Sequence, residues 1–135
     1  GRPGIGVLFK EVQKATRVLA EAGAKFEQGN PVYQMMTDTA KGDIQEDVLD
    51  EKVLSCIVEI TTTINDTIAT LNILKEICKT ADTVISIGVS TICDKDGGEP
   101  LRDILTQAGY ETGWAKLNLG FGRATDAAFT IEENL

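Results

Sequence analysis

Apolar residues recur at alternating steps of three and four along the first part of the chain, which is the spacing of one helical face. They are Ile5, Leu8, Val12, Ala15, Leu19, Ala22 and Phe26. This pattern predicts an amphipathic helix over about residues 5–28. Gly29-Asn30-Pro31 ends the helix, because glycine permits a left-handed cap and the residue before a proline avoids helical backbone angles. Asn30 and Pro31 are placed to start a second, short helix that stops near Gly42.

A longer stretch of helical periodicity covers residues 43–80. Asp43 and Glu46 imitate a capping box at its start, and Lys75 and Lys79 lie near its end, where the helix dipole favours positive charge. The apolar positions keep close to a 3.5-residue repeat, which is typical of helices that pack along their length. We call the following six residues the predicted seam and expect them on the buried face of one long helix: Val53, Ile57, Ile60, Ile64, Leu71 and Leu74.

The period of the pattern changes to two in the last third of the chain. Alternation over residues 84–93 predicts a strand, and the run Asp94-Lys95-Asp96-Gly97-Gly98 has the composition of a turn. Pro100 is placed to begin a helix that Gly109 closes. Residues 83–110 therefore predict a strand, a loop and a helix in succession.

A further alternating run over residues 115–121 predicts a second strand beside the first. The expected fold class is mainly α, with two long amphipathic helices, a short helix and a small C-terminal β-α-β element of the α+β type. We expect one domain over residues 1–135, because this length forms one hydrophobic core of ordinary size. Its helical part would cover residues 1–81 and its β-α-β part residues 82–135.

The strand, loop and helix predicted for residues 83–110 resemble the first βα unit of nucleotide- and cofactor-binding α/β folds, including the molybdopterin-binding type. Two features separate the chain from those folds. It lacks the downstream Gly-Gly-Thr-Gly type of loop. The 25 residues that follow Tyr110 are also too few to complete a doubly wound sheet.

The loop before the C-terminal helix is a candidate ligand site, because backbone N–H groups of glycines at a helix start can cradle a phosphate. The residues of this candidate ligand loop are Asp94, Asp96, Gly97, Gly98 and Glu99. Its three carboxylates repel a bare phosphate, and their spacing is not that of a calcium loop. An ordinary turn is thus the favoured interpretation. A small α/β ligand-binding protein or enzyme, with its site from Asp94 to Arg102, is the first alternative.

The chain carries 13 Lys and Arg against 21 Asp and Glu, which gives a formal net charge of −8. Nucleic-acid binding is not expected, because phosphate neutralisation requires a surplus of cations along one face. Histidine is absent. The sequence therefore lacks the commonest general base and zinc ligand, and we predict no catalytic residue, no metal site and no cofactor.

Three cysteines, Cys56, Cys78 and Cys93, are widely spaced among apolar neighbours and form no CxxC motif. Their odd number and spacing predict buried, reduced thiols, which favour the cytoplasm or another reducing compartment. No charged-then-apolar leader opens the sequence, and no uncharged apolar run approaches the roughly 18 residues that span a bilayer. We therefore expect a soluble domain.

The first predicted helix is basic although the chain is acidic. Its charged residues near the start are Arg2, Lys10, Lys14 and Arg17, with Glu11 as the acidic exception. A basic amphipathic helix can lie on an anionic membrane, so a membrane-surface protein is the second alternative. The favoured interpretation is that this helix packs within the protein, beside the acidic stretch of residues 43–51.

Two long helices with apolar stripes need partners for those stripes, and one chain of this length supplies them only in part. Self-association is the simplest solution. The leading hypothesis is a non-enzymatic protein–protein interaction or self-assembly domain, an acidic structural protein that forms homo-oligomers or binds another protein through the predicted seam.

Overall fold

Residues 6–110, the part of the chain that the structure describes, form three α-helices and six short β-strands in a computed structural model. The α-helices are α1 (Phe9–Glu21), α2 (Thr67–Thr80) and α3 (Pro100–Gln107). The strands are β1 (Val7–Leu8), β2 (Lys25–Phe26), β3 (Met36–Asp38), β4 (Asp43–Ile44), β5 (Lys52–Val53) and β6 (Ile60–Thr61). Short 3-10 helices cover Tyr33–Met35 and Glu46–Val48.

Among the described residues, the strands pair in three two-stranded antiparallel sheets, β1 with β5, β2 with β6, and β3 with β4. Val7 lies opposite Val53, and Phe26 lies opposite Ile60. These two pairings join segments that are far apart in the sequence. They therefore hold the chain after residue 51 against the segments that flank α1.

The expected mainly-α fold class is wrong, because the long helix expected over residues 43–80 does not form. Only its last third is helical, as α2, and residues 43–66 form β4, a 3-10 helix, β5 and β6 instead. Helical periodicity is a weak predictor when long-range pairing competes with it. Here Val53 and Ile60 gain strand partners, and the β-branched run Thr61-Thr62-Thr63-Ile64 lowers the helix propensity just before α2.

The first helix is also shorter than the expected range of residues 5–28. Gly23 ends α1, because its positive φ of 80° allows the chain to reverse into a Schellman motif. In this motif the N–H of Gly23 donates to the carbonyl of Ala20 at 2.9 Å, and the N–H of Ala24 donates to that of Leu19 at 3.0 Å. The helix end predicted at residues 29–31 is therefore wrong, and the short helix predicted to follow it is limited to the 3-10 helix Tyr33–Met35.

Polar contacts and one glycine hold α1 against the β3–β4 hairpin. The buried hydroxyl of Thr16 donates to the carbonyl of Gly42 at 2.6 Å, and the side-chain oxygen of Gln13 accepts the N–H of Ile44 at 2.8 Å. A Cβ atom on Gly42 would lie 2.3 Å from the carbonyl oxygen of Thr16. The hairpin backbone can approach the helix this closely only because residue 42 has no side chain.

Two clusters of buried apolar side chains stabilise the described chain. The first cluster lies between α1 and the segments that follow it and contains Phe9, Val12, Val32 and Ile44. The second cluster joins α2, α3 and residues 84–93 and contains Leu71, Cys78, Ile87, Leu101 and Leu105. Contacts between α1 and α2 connect the two clusters. The expectation of one domain over residues 1–135 stays a prediction, since it includes residues outside the described range.

The helix predicted to start at Pro100 is confirmed as α3, and Gly109 closes it as expected. The N–H groups of Gly109 and Tyr110 donate to the carbonyls of Thr106 and Leu105, which is again a Schellman motif. The strand predicted over residues 84–93 forms no ladder with any described residue.

Within residues 84–93, burial nevertheless alternates as it does in a strand. Ile85, Ile87 and Val89 pack against the second cluster, while Ser86 and Gly88 are exposed. The second predicted strand, over residues 115–121, lies outside the described residues. The expected β-α-β element is therefore reduced, in the described chain, to an unpaired segment and one helix.

Candidate functional site

The predicted seam does not form one surface. Val53 lies in β5, Ile60 in β6, and Leu71 and Leu74 lie on α2. Leu71 is buried in the second cluster, whereas Ile57 is 63% exposed and Ile64 is 39% exposed. A continuous helical face would bury all six side chains, so the prediction that the seam is one buried stripe is wrong.

Two large aliphatic side chains in the connection between β5 and β6 lie in solvent. Leu54 is 76% exposed and Ile57 is 63% exposed, and we call them the exposed pair. Cys56 and Val58, which alternate with Ile57, are half-buried and pack against the first cluster. The inward side chains anchor the connection on the core, and this leaves Ile57 on its outer side.

A strand-like interpretation of residues 56–60 would have found the outward position of Ile57, although not the exposure of Leu54. Read at a period of two, Cys56, Val58 and Ile60 form the inner row, and Ile57 and Glu59 fall in the outer row. The helical interpretation instead placed Ile57 and Ile60 together and left Leu54 out. The signal was present, but the longer helical pattern around it suggested the wrong period.

Three exposed carboxylates lie near the exposed pair along the chain or are joined to that segment by a backbone hydrogen bond. Glu51 precedes it, Glu59 lies two residues beyond Ile57, and the N–H of Glu27 donates to the carbonyl of Glu59 at 3.0 Å. We call Glu27, Glu51 and Glu59 the acidic rim. Within residues 6–110, none of the three forms an ion pair. The cations nearest to them in the sequence are Lys25, two residues from Glu27, and Lys52, next to Glu51.

The candidate ligand loop is a turn that Asp94 organises. The carboxylate of Asp94 accepts hydrogen bonds from the N–H groups of Asp96 at 3.0 Å and Gly98 at 2.6 Å. The main-chain carbonyl of Asp94 accepts a hydrogen bond from the N–H of Gly97 at 3.1 Å. A Cβ on Gly98 would lie 2.5 Å from this carboxylate, which explains the glycine. The N–H groups of both glycines are therefore already bonded within the loop.

Beside this loop, an open depression of about 290 Å³ is lined by Gly97, Glu99, Arg102 and Asp103. Arg102 and Glu99 form an ion pair one turn apart at the start of α3. Among residues 6–110, no group of three or more Cys, Asp or Glu side chains is arranged to hold a metal ion. At this depression, Arg102 supplies a cation that Glu99 partly neutralises, and Asp103 supplies a further carboxylate.

The basic side chains of α1 are paired with acidic ones. Lys10 contacts Asp50 at 3.0 Å, and Arg17 contacts Asp43 at 2.7 Å, so two of these pairs join α1 to residues 43–51. The interpretation that this stretch complements the charge of the helix is confirmed, although the stretch is not helical. The hydrogen bond from Lys14 lowers the pKa of Glu11 against the opposing effect of burial. Arg2 lies outside the described residues.

The cysteines differ in their burial. Cys78 is buried in the second cluster and Cys56 is half-buried, and burial raises the pKa of both thiols. Cys93 is exposed at the end of residues 84–93. The expectation of burial is therefore correct for Cys78 and wrong for Cys93, because the alternation of burial in residues 84–93 ends after Val89.

No protein-family model, no curated protein and no solved structure matches this chain. No helix in the described range has both the length and the apolar character required to cross a bilayer.

Proposed function

We propose that this chain is a protein–protein interaction domain whose contact surface is centred on the exposed pair, Leu54 and Ile57. The observation that supports this most directly is their exposure, at 76% and 63%, on a connection that the core holds in place. Full burial of one such side chain contributes about 1.5–3 kcal/mol. A partner that covers both would recover much of that free energy, which an isolated chain does not gain.

The self-assembly function predicted from the sequence is one form of this proposal, with a second copy of the chain as the partner. In the other form of the proposal, the partner is a different protein. The exposed pair serves either form, because burial of an exposed aliphatic side chain is favourable whichever protein covers it.

The alternative of a ligand site at residues 94–102 has less support. The N–H groups of Gly97 and Gly98 already donate to Asp94, so they are not available to a phosphate. The membrane-surface alternative also has less support. The apolar face of α1 is buried, with Phe9 and Val12 in the first cluster.

The test compares the double variant Leu54→Ser/Ile57→Ser with the wild-type chain. The matched control is Val18→Ser/Ile92→Ser, which removes two aliphatic side chains that are 42% and 91% exposed elsewhere on the surface. Because all four side chains are exposed, each substitution should change stability by less than about 0.5 kcal/mol, and circular dichroism checks that both variants fold.

Self-association is measured by sedimentation over a wide dilution range. Binding to another protein is measured by retention from a lysate of the source cells, followed by titration with the purified retained protein. We expect the affinity of either contact to fall at least about tenfold in Leu54→Ser/Ile57→Ser and to change less than about twofold in the control. A contact that both double variants make equally well, or the lack of any contact in the wild-type chain, would overturn the proposal.

A further inference from the structure

We infer that two copies of this chain pair antiparallel through residues 85–91, with Gly88 of one copy opposite Gly88 of the other. This contact surface is separate from the exposed pair, and the inference does not depend on the proposed function. It follows from the backbone of this segment, from its lack of charge and from a sequence that is nearly the same in both directions.

The backbone of residues 85–91 has no strand partner in the part of the chain that the structure describes. Its N–H and C=O groups form no backbone hydrogen bond with residues 6–110. Burial alternates along the segment as far as Ser90, and the inward row is fixed on the second cluster. The outward row consists of the small, exposed residues Ser86, Gly88 and Ser90. A segment of this kind offers its backbone groups to the edge of another strand.

The segment also lacks the features that protect an exposed strand edge. The longest run of the sequence without a charged residue extends from Thr83 to Cys93, and it contains no proline. Charged side chains and prolines are common means by which proteins keep a strand edge from pairing with another chain. Each chain carries a net charge of −8, so two copies repel each other least where uncharged segments meet. The nearest charges, Asp82 and Asp94, lie beyond the ends of residues 85–91, where salt screens them.

The sequence of residues 85–91 selects a second copy as the partner. It reads Ile-Ser-Ile-Gly-Val-Ser-Thr, so residues at equal distances from Gly88 are of the same kind. In an antiparallel pair centred on Gly88, each residue faces its counterpart in the other copy. The opposed pairs are Ser86 with Ser90, Ile87 with Val89, and Ile85 with Thr91. Hydroxyls opposite hydroxyls and β-branched side chains opposite each other suit neighbouring strands, and a two-fold dimer requires such self-complementarity.

Single cysteines test this register directly. The background is Cys93→Ser, which removes the exposed native thiol, while Cys78 is buried and Cys56 is half-buried. Opposed residues of antiparallel strands have Cα atoms about 4.5–5.5 Å apart, a separation that a disulfide spans. Gly88 is exposed and has no positive φ, so a cysteine fits there. With oxidised glutathione as the oxidant, we expect Gly88→Cys to form a disulfide-linked dimer on non-reducing electrophoresis.

Ser86→Cys and Ser90→Cys are the matched controls on the same outward row. In the inferred register, either variant alone places its two thiols about 13 Å apart, so it should cross-link at least about tenfold more slowly than Gly88→Cys. An equimolar mixture of the two variants places unlike copies in register and should give a mixed dimer, identified by its mass. Equal cross-linking of Ser86→Cys alone and Gly88→Cys, or no cross-linking of Gly88→Cys, would overturn the inference.

Charges on the outward row test the contact without an added thiol. Ser86→Lys/Ser90→Lys places lysine opposite lysine and should weaken the dimer at least about tenfold in sedimentation. Ser86→Glu/Ser90→Glu should weaken it in the same way, and a mixture of the two variants should restore it, which misfolded chains would not do. The matched control is Thr106→Lys/Gln107→Lys, which makes the same change of charge at exposed positions on α3 and should alter the affinity less than about twofold.

The outcomes separate this contact from the exposed pair. A Gly88→Cys cross-link that persists in Leu54→Ser/Ile57→Ser supports the inference, and the exposed pair is then tested in the Ser86→Lys/Ser90→Lys chain, where the strand contact is absent. A cross-link that Leu54→Ser/Ile57→Ser abolishes would place the dimer contact at the exposed pair, which supports the proposed function and overturns this inference. A wild-type chain that stays monomeric up to its solubility limit would overturn the inference and leave binding of a different protein through the exposed pair unaffected.

Discussion

Replacing Gly42 with alanine should strongly destabilise the fold, because Gly42 is buried and its backbone packs closely on α1. The residue has a φ of +77°, and a left-handed backbone costs about 1–2 kcal/mol when a Cβ is present. The new Cβ would also lie 2.3 Å from the carbonyl oxygen and 2.4 Å from the carbonyl carbon of Thr16. Normal contact requires about 3.5–4.0 Å. These atoms belong to the backbone of α1, so no side chain can rotate away.

The hairpin would have to move away from α1, and the buried hydrogen bonds between Thr16 and Gly42 and between Gln13 and Ile44 would lengthen or break. Strain of this kind costs about 1–3 kcal/mol. A buried polar group that loses its partner costs about 1–3 kcal/mol more. Together with the backbone cost, we expect Gly42→Ala to lower the free energy of unfolding by about 3–8 kcal/mol, which is much of the total for an ordinary domain.

Gly23→Ala is the matched control. Gly23 also has a positive φ, of 80°, but a Cβ placed there would meet no heavy atom within 4 Å. Only the backbone cost of about 1–2 kcal/mol should remain. Both variants are unfolded in urea and followed by far-ultraviolet circular dichroism. Free energies of unfolding that agree within about 0.5 kcal/mol would refute the reasoning, because they would show that close packing on α1 contributes nothing.

Three further outcomes follow from the burial and pKa of individual side chains. Leu71→Ala should lower the free energy of unfolding by about 2–5 kcal/mol, whereas Ile57→Ala should change it by less than about 0.5 kcal/mol. Similar losses for the two variants in urea unfolding would support one continuous buried seam instead. Iodoacetamide should alkylate the exposed Cys93 well before the buried Cys78. Because burial raises the pKa of the Cys78 thiol, stability should fall as the pH rises above about 8.5, where this thiol ionises in the unfolded chain before it does in the folded one. Glu11→Gln should reduce the loss of stability on acidification. The pKa of the Glu11 carboxyl is lowered in the folded chain, so this group stabilises the fold above its pKa in the unfolded chain, about 4.3, and the stabilisation is lost as the pH falls. Identical acid-unfolding curves for the variant and the wild type would contradict the last expectation.

Local signals in the sequence were sufficient for α3. Pro100 fits the first turn of a helix because that position needs no N–H donor, and Gly109 fits the left-handed residue after it. Both effects act within a few residues of backbone, so no knowledge of the rest of the fold is required. The charge complementarity between α1 and residues 43–51 was also predicted correctly, because opposite charges attract whether or not the acidic stretch is helical.

The tertiary structure decided the conformation of residues 43–66. Their helical spacing suggested one long helix, but β1 and β2 offered strand partners to Val53 and Ile60, and those partners lie far away in the sequence. That pairing sets the period to two over residues 56–60 and so turns Ile57 outward. The residue types were therefore visible in the sequence, but which of them face solvent depended on contacts that form only when distant segments meet.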